Sequence, residues 1–573
     1  MKGLTLGRIS KRLGLLLLIV VALAPFVIQV GDFWCYTNDD AFITYRYGRQ
    51  LASGHGPYFN PGEHVEGYTN PLQMLSVAAI VRWFGADAAH VMTKCLGVLY
   101  GAGTVVLTFF TALTLLTFSR LGLARAWVQA GALLAAIMVS LSPDFAVNCT
   151  SGLETSQFAL LMLLAGYLGV RELMDGKARG SAIVFALLVL ARPEGVLVFA
   201  GYWLVCAVAE ARVLLRGTAA SANVSFVKRC MQSQEVGRLV ASGVVVSLVF
   251  ALQMGMRFHL YDGELLPNTF YAKRGGFFRG STWGYLYGGL LNPLFGYGGL
   301  IVGVGGCLMG LRRLPRALLV IVSVVVAGGG ITAMTGIDWM VGHRLAVPYL
   351  PAVAILLVLG WIVLAARVFP AKGTQVAAVL CAAILIPTGW WLQGDAREKV
   401  NEEILVRARG YVTGHAALAE WVGGRAAPGD TIAVMDIGII GYICFDQRIL
   451  DVSGLTDRFI AKAEGGFLGK LYDPAYVLDQ EPEFIVLVFH GEGESYTRPS
   501  RGTVFYPMNE MEARLAEHPQ FERWYRNKRS PAPVTSGDWL NVFAAHLGAE
   551  RIFEHGHPGL HYLLAVYERK GEG

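Results

Sequence analysis

The chain has 573 residues, of which 54% are hydrophobic and 16% are charged, and its mean hydropathy is +0.47. A composition this apolar excludes a purely soluble protein and indicates a chain that crosses a membrane several times. The net charge of +6 does not point to a nucleic-acid partner, because the basic residues cluster in short loops and no nucleic-acid-binding motif is present.

Apolar runs of about 20 residues, long enough to cross roughly 30 Å of hydrocarbon, predict about eleven transmembrane helices. The runs lie near residues 13–30, 92–117, 126–142, 155–170, 181–191, 196–210, 237–255, 288–310, 317–334, 345–367 and 374–393. The fifth run is short, and only Arg192-Pro-Glu-Gly separates it from the sixth. These two runs therefore form either two spans or one re-entrant element.

Lys and Arg residues are concentrated in alternate loops, which the positive-inside rule assigns to the cytoplasm. They precede the first run and follow the second, fourth, sixth, eighth and tenth runs. The opposite loops, including a first outer loop at residues 31–91, are then extracytoplasmic. No small-residue cleavage site follows the first run, so we predict a retained helix rather than a signal peptide.

The first outer loop begins with two adjacent acids, Asp39 and Asp40. Carboxylates at the mouth of an apolar bundle lose hydration, so they usually serve chemistry or ion handling. A helical pattern over residues 38–52 places Asp39 and Arg46 on one face, with Asn38 as the N-cap. In the alternative interpretation, the acids only cap and charge-balance an interfacial helix. The turn-rich segment that follows favours function, because Glu66, Tyr68 and Asn70 carry groups suited to a sugar.

Four later outer loops carry further polar clusters, and each has a structural alternative. The residues are Glu154, Arg192, Glu194, Asn268, Tyr271, Lys273, Arg274, Asp338, His343 and Arg344. Glu154 either contacts a sugar or supplies charge to a helix N-terminus. For Arg192 and Glu194 we favour an ion pair that braces a helix break over a substrate contact. The 266–283 loop is either a donor site or an aromatic belt, and Arg344 binds phosphate or pairs with Asp338.

From residue 395 to residue 573 the composition becomes that of a water-soluble α/β domain. A helical pattern covers residues 399–423, and short β-like runs lie at 431–435, 448–452, 484–489 and 561–568. Eleven spans place this domain outside the cell. The predicted fold class is thus a polytopic α-helical membrane domain, residues 1–394, with a C-terminal extracytoplasmic α/β domain.

Several motifs in order resemble the C-type (GT-C) integral-membrane glycosyltransferases, in particular the branch with mycobacterial terminal arabinofuranosyltransferases and related pilin and envelope glycosyltransferases. They are Asp39-Asp-Ala-Phe-Ile-Thr-Tyr-Arg-Tyr, Asn60-Pro-Gly-Glu, Glu66-Gly-Tyr-Thr-Asn-Pro-Leu, Ser151-Gly-Leu-Glu-Thr, Ala191-Arg-Pro-Glu-Gly, Leu266-Pro-Asn-Thr-Phe-Tyr-Ala-Lys, Asp338-Trp-Met, Gly342-His-Arg and Asp451-Val-Ser-Gly-Leu-Thr-Asp. The likeness covers the whole membrane part. Thr335-Gly-Ile-Asp departs from it, because the family pattern has Gly-Gly-Asp there.

The resemblance implies a GT-C fold, a polyprenyl-phosphate donor carrying one sugar, such as decaprenyl-phosphoryl arabinofuranose, and inverting transfer to an outer-face acceptor. It also implies a first-loop carboxylate as the base, and Asp39 is our first choice, followed by Asp40. A departing phosphate needs cations. We predict Arg46, Lys273, Arg274, His343 and Arg344 for the phosphate, and Glu66, Tyr68, Asn70, Glu154, Asn268, Tyr271 and Asp338 for sugar or acceptor.

The expected partners are a polyprenyl-phosphate sugar, an envelope polysaccharide or glycoprotein, and membrane lipid, at a bacterial plasma membrane. No metal-ligand set is visible, although aspartates near a phosphate can recruit a divalent cation. The rival functions are an oligosaccharyltransferase or ligase on the same scaffold, a protein glycosyltransferase, a transporter, and a scaffold for an envelope complex.

Overall fold

The computed structural model describes most of the chain between residues 2 and 570. Outside the description are residues 1, 221–225, 275–281, 292–295, 311–313, 316, 336–337, 339, 369–392, 395, 493–504, 527–539, 541–542, 545–546, 558–559 and 571–573. The eleventh predicted span, residues 374–393, falls almost entirely in this undescribed part.

The N-terminal part of the described chain is helical. Its helices are α1 Lys2–Asp32, α2 Asp39–Ala52, α3 Pro71–Phe84, α4 Ala89–Thr117, α5 Arg125–Ser140, α6 Pro143–Thr150, α7 Thr155–Asp175, α8 Ser181–Ala191, α9 Gly195–Ala220, α10 Phe226–Gln232, α11 Gln234–Leu260, α12 Asn268–Ala272, α13 Thr282–Leu286, α14 Gly296–Gly310, α15 Leu318–Thr335 and α16 Leu350–Val368. Ten of the eleven predicted apolar runs coincide with these helices, because a helix satisfies the backbone hydrogen bonds of an apolar run internally.

Six helices have the length and hydropathy of a membrane span, and a seventh candidate is the pair α5 and α6, bent by 61°. Helix α8 and the apolar parts of α14 and α15, Gly298–Gly310 and Leu318–Thr332, are shorter apolar helices. The described residues therefore contain fewer full-length spans than the predicted eleven. The prediction that the chain is a multi-pass helical membrane protein is confirmed.

The C-terminal part is an α/β domain built on one sheet. Its helices are α17 396–410, continued by a π-helical turn Tyr411–Ala416, α18 Ala417–Gly423, α19 Ile437–Ile443, α20 Arg458–Lys462, α21 Ala475–Leu478, α22 Glu510–Glu517 and α23 Pro519–Trp524. Its strands are β1 Thr431–Val434, β2 Arg448–Asp451, β3 Phe484–Glu492, β4 Phe505–Pro507, β5 Arg551–His557 and β6 Leu560–Glu568. The four predicted strands are all present, and β4 and β5 are additional.

The sheet has the order β2-β1-β3-β6-β5, with β4 paired to β3. The pairs β1–β2 and β1–β3 are parallel, whereas β3–β6 and β5–β6 are antiparallel. Strand β1 has four buried residues, as expected for a central strand covered on both faces. It leads directly into α19, whose N-terminus therefore lies at the carboxyl end of the parallel strands.

The described chain has three hydrophobic clusters, and the two largest organise it. One lies within the helical bundle. The other joins the first interhelical loop, residues 31–91, to the α/β domain, because Ile43, Tyr47 and Phe59 pack in one cluster with sheet residues such as Ile432 and Ile485. The loop and the C-terminal domain are therefore one packed unit at this end of the bundle.

Candidate active site

Helix α2 carries the paired acids, and its local structure follows the sequence. Asn38 is the N-cap, and its side-chain oxygen accepts a hydrogen bond from the Asp40 amide at 3.0 Å. Two acids in the first turn interact favourably with the helix dipole. The predicted helix over residues 38–52 is confirmed.

Asp39 points into the C-terminal domain and is only 8% exposed. Its two carboxylate oxygens accept hydrogen bonds from the first amides of α19, Gly438 N at 3.0 Å and Ile439 N at 2.7 Å. A Cβ atom on Gly438 would lie 2.0 Å from the Asp39 carbonyl oxygen, so only glycine permits this approach. Asp39 therefore caps a helix of the other domain.

A buried group of titratable residues surrounds this cap. His415 Nε2 lies 2.9 Å from Asp436 Oδ2, and the Tyr562 hydroxyl donates to the same oxygen at 2.6 Å. Burial raises the pKa of Asp39 to about 6. The charge of His415 opposes this rise, and the charge of Asp436 adds to it. Burial alone would lower the pKa of His415. The hydrogen bond to Asp436 outweighs burial, so the pKa of His415 lies above its ordinary value.

Asp40 has a different environment, although it is the adjacent residue. In the part of the chain that the structure describes, no group donates a hydrogen bond to its half-buried carboxylate. Burial raises the pKa of Asp40, and the positive charges of Lys273 and Arg344 oppose that rise. Asp40 is thus a carboxylate whose acceptor positions are not used by the described residues and which feels the charges of two cations.

Lys273 and Arg344 reach this place from separate loops. Lys273 follows α12, and its Nζ lies 5.6 Å from the ring centre of Phe467 in the C-terminal domain. Burial lowers the pKa of Lys273, which Asp40 counteracts. Arg344 Nε donates to Asp338 Oδ2, so the predicted alternative in which Arg344 pairs with Asp338 describes this structure.

A separate chain of hydrogen bonds joins the first loop to the helical bundle. Asn70 donates to Glu154 at 2.8 Å, and Glu154 accepts from Arg192 at 3.2 Å. Arg192 also pairs with Glu194 at 2.8 Å across the break between α8 and α9. Glu154 thus links the first loop to the ion pair, and its charge also acts on Lys273.

Arg46 does not contact this cluster. Its side chain is 0% exposed and donates to the carbonyls of Phe59, Gly441, Cys444 and Gln447 and to the Asn60 side chain. These bonds use the guanidinium donors and connect the first loop to the C-terminal domain. The structure thus gives Arg46 a cross-domain structural role in place of the predicted phosphate contact.

Several residues predicted to bind sugar are likewise occupied by protein contacts. Glu66 forms a buried ion pair with Arg257, and the Tyr68 hydroxyl lies 3.0 Å from the Tyr261 hydroxyl. The Asn268 amide donates to three carbonyls of the 454–457 segment, at 2.9 to 3.1 Å. These three residues thus hold the loops in place and lie outside the Asp40 cluster.

The remaining predicted residues are Tyr271, Arg274 and His343. The Tyr271 hydroxyl donates to Glu264 at 3.3 Å, and Tyr271 and exposed Arg274 line an open cleft of about 710 Å³ beside Lys470. His343 Nδ1 lies 2.6 Å from Asp144 Oδ2, so its imidazole is engaged by a carboxylate.

Sequence reasoning missed His415, Asp436 and Asp144. Asp436 directly follows a β-like run, where an acid commonly caps the next helix, and this was the available signal. His415 and Asp144 carry no distinguishing pattern, since their partners lie far away in sequence.

The arrangement brings together the Asp40 carboxylate, the cations Lys273 and Arg344 whose charges act on it, and the Asp338 carboxylate that pairs with Arg344. Such a site can remove a proton from a hydroxyl and neutralise an anion at the same time.

Comparison with known proteins adds the following. Residues 402–543 match a family model described as a domain of unknown function, DUF8728. No curated protein matches the chain. Similar solved structures include ArnT from Cupriavidus metallidurans bound to undecaprenyl phosphate, with 13% identity, TM-score 0.46, and coverage of 76% of this chain and 85% of that one. The oligosaccharyltransferase from Archaeoglobus fulgidus, tethered to an acceptor peptide, has 10% identity, TM-score 0.46, and coverage of 95% and 88%.

The fold and the site define the class of this chain. It is a multi-pass membrane protein whose C-terminal α/β domain packs on the first interhelical loop, beside a charged cluster centred on Asp40.

Proposed function

We propose that the protein is an inverting glycosyltransferase of the GT-C type. It moves a single sugar, with arabinofuranose as the first choice, from a polyprenyl-phosphate donor to a cell-envelope glycan. The reaction takes place on the extracytoplasmic side of a bacterial plasma membrane. The observation that carries this proposal is the half-buried Asp40 carboxylate, which accepts no hydrogen bond from the described residues and on which the charges of Lys273 and Arg344 act.

In the proposed reaction Asp40 takes the proton of the acceptor hydroxyl. The hydroxyl oxygen bonds to the anomeric carbon while the bond from that carbon to the phosphate oxygen breaks, which inverts the configuration. Polyprenyl phosphate leaves, and its increased negative charge is stabilised by Lys273 and Arg344. Phosphate is already a good leaving group, so no general acid is needed.

Asp40 replaces Asp39 as the first choice for the base. A general base must present a lone pair to the proton that it removes. Both oxygens of Asp39 accept amide hydrogen bonds from α19, and reaching a substrate would require that helix to move. The proposed base is still a carboxylate of the first loop, as the family resemblance implies, but it is Asp40 and not Asp39.

A transporter is less compatible with the positions of the charges. Transport sites of this kind lie near the middle of the bilayer, where helices are broken. Here the acids and cations lie in loops or at helix ends, such as Glu154 immediately before α7 and Lys273 after α12.

Transfer of a whole glycan to protein is the other alternative. It uses the same chemistry and differs from the proposed reaction in the donor and the acceptor.

The test is transfer by purified protein supplied with decaprenyl-phosphoryl arabinofuranose and an arabinan acceptor, measured as released decaprenyl phosphate. We expect Asp40→Asn to lower kcat by about a thousandfold with an unchanged melting temperature. Asp87→Asn is the matched control, because Asp87 is an exposed acid of the same loop. Full activity of Asp40→Asn would refute the assignment, and absence of transfer from any polyprenyl-phosphate sugar would refute the function.

A further inference from the structure

A second feature of the extramembrane part is a cleft between the first outer loop and the C-terminal domain. It has a volume of about 770 Å³ and is open to solvent. Its lining comes from residues 63–65 and Asp262 on one side and from β2 and the 456–476 segment on the other. None of the contacts described above for Asp40 involves this cleft.

An exposed aromatic platform forms one wall. Phe459 is 53% exposed, although a large apolar side chain is normally buried. Its ring stacks on Tyr476, with ring centres 4.2 Å apart and an angle of 27° between the planes. The stack leaves one face of Phe459 available. The C–H face of a sugar ring packs well against such a surface, which supplies apolar contact area at a low entropic cost.

The polar rim of the cleft is balanced in charge. Arg448 pairs with Glu63 at 2.5 Å, and Arg458 with Asp262 at 3.4 Å. Paired ions keep further donor and acceptor positions for hydroxyl groups but exert little net field on a charged ligand. The rim therefore suits a neutral polyhydroxyl chain better than a strongly acidic or basic one.

A peptide in an extended conformation would need a free strand edge. The nearest candidate is β2, at the end of the sheet. Asn60 already occupies its outer edge, because its side chain accepts from the Ile449 amide at 3.0 Å and donates to the Ile449 carbonyl at 2.8 Å. Addition of a peptide strand at this position is thus blocked.

The cleft adjoins a second cleft. It shares Lys462 and Ala463 with the neighbouring cleft of about 710 Å³ that Arg274 lines. Arg274 is adjacent in sequence to Lys273, whose charge acts on Asp40.

We infer that the cleft lined by Phe459 binds a neutral oligosaccharide several sugars long, the acceptor chain of the proposed transfer. The inference rests on the proposed function, because it names the acceptor of that same reaction. Binding itself requires no turnover, so the two can be tested separately.

The experiment uses full-length protein in nanodiscs and a linear neutral hexasaccharide, α-1,5-linked arabinohexaose, with binding followed by saturation-transfer NMR. We expect Phe459→Ala to weaken binding about tenfold. Tyr506→Ala is the matched control, because Tyr506 is 54% exposed on β4 of the same domain and does not line the cleft. The Asp40→Asn variant should bind like the wild type, which separates this inference from the catalytic assignment.

In the transfer assay, Phe459→Ala should raise KM for the hexasaccharide about tenfold and leave kcat and donor hydrolysis unchanged. Equal binding by the Phe459 and Tyr506 variants would overturn the inference. So would lack of binding to arabinohexaose and to a galactan of the same length, or a Phe459-dependent affinity for an acceptor peptide in place of the sugar.

Discussion

Replacement of Asp39 by asparagine tests the division of roles between the two adjacent acids. Asp39 accepts two short amide hydrogen bonds from α19, and it is nearly buried. An asparagine retains one oxygen acceptor but directs its amide group toward the other N–H. One buried amide is then unpaired, which costs about 1–3 kcal/mol. Taking about 2 kcal/mol, local opening of α19 becomes roughly 30-fold more frequent.

Amide hydrogen exchange in residues 437–443 measures this opening directly. We expect exchange there to accelerate by about 30-fold in Asp39→Asn, while the central strand β3 keeps its protection. Transfer activity should fall only in part, because the proposed base is still present. Asp87→Asn, in the same loop, should leave exchange unchanged.

The reasoning fails if Asp39→Asn abolishes transfer while α19 keeps its wild-type protection. That result would mean that the Asp39 carboxylate acts on substrate and that its contact with α19 is dispensable. Activity retained in Asp40→Asn would strengthen the same conclusion.

Two further substitutions test the charges around the site. Because Lys273 lowers the pKa of Asp40 and a base must be ionised, Lys273→Gln should raise that pKa and move the acidic limb of the kcat/KM profile to higher pH. Lys470→Gln is the control, and a limb that stays in place or moves to lower pH contradicts the pairing. Arg46→Lys keeps the positive charge but loses the planar guanidinium that donates several hydrogen bonds to backbone carbonyls. The free energy of unfolding should therefore fall by about 3 kcal/mol in denaturant titrations. Arg49→Lys serves for comparison, and equal stability of the two variants would argue against the role of Arg46.

The sequence predicted those features that depend on local pattern. Long apolar runs identified ten of the helices, and the apolar strands β1, β2, β3 and β6 were found because buried strands read as short apolar runs. The N-cap at Asn38 followed from the residues beside it. Strand β5 was missed, since its histidines and glycine lack the composition of a typical strand.

The roles of individual polar residues were not predictable in the same way. Arg46 and Asp39 find their partners in the C-terminal domain, and Glu66 finds its partner in α11. Nothing in the first loop distinguishes a guanidinium that binds phosphate from one that binds backbone carbonyls. Only the packing of the two domains decides which polar groups are used by protein contacts, and it leaves the Asp40 carboxylate without a hydrogen bond from the described residues.

The shared core has a consequence for the order in which the protein is made. Arg46 bonds to the carbonyl of Gly441, 395 residues further along the chain. At about 5–20 residues per second, ribosomes complete that distance in roughly 20–80 s. During this interval the first loop holds an unpaired guanidinium and uncovered apolar side chains. The first loop thus completes its hydrogen bonds only after most of the chain has been synthesised.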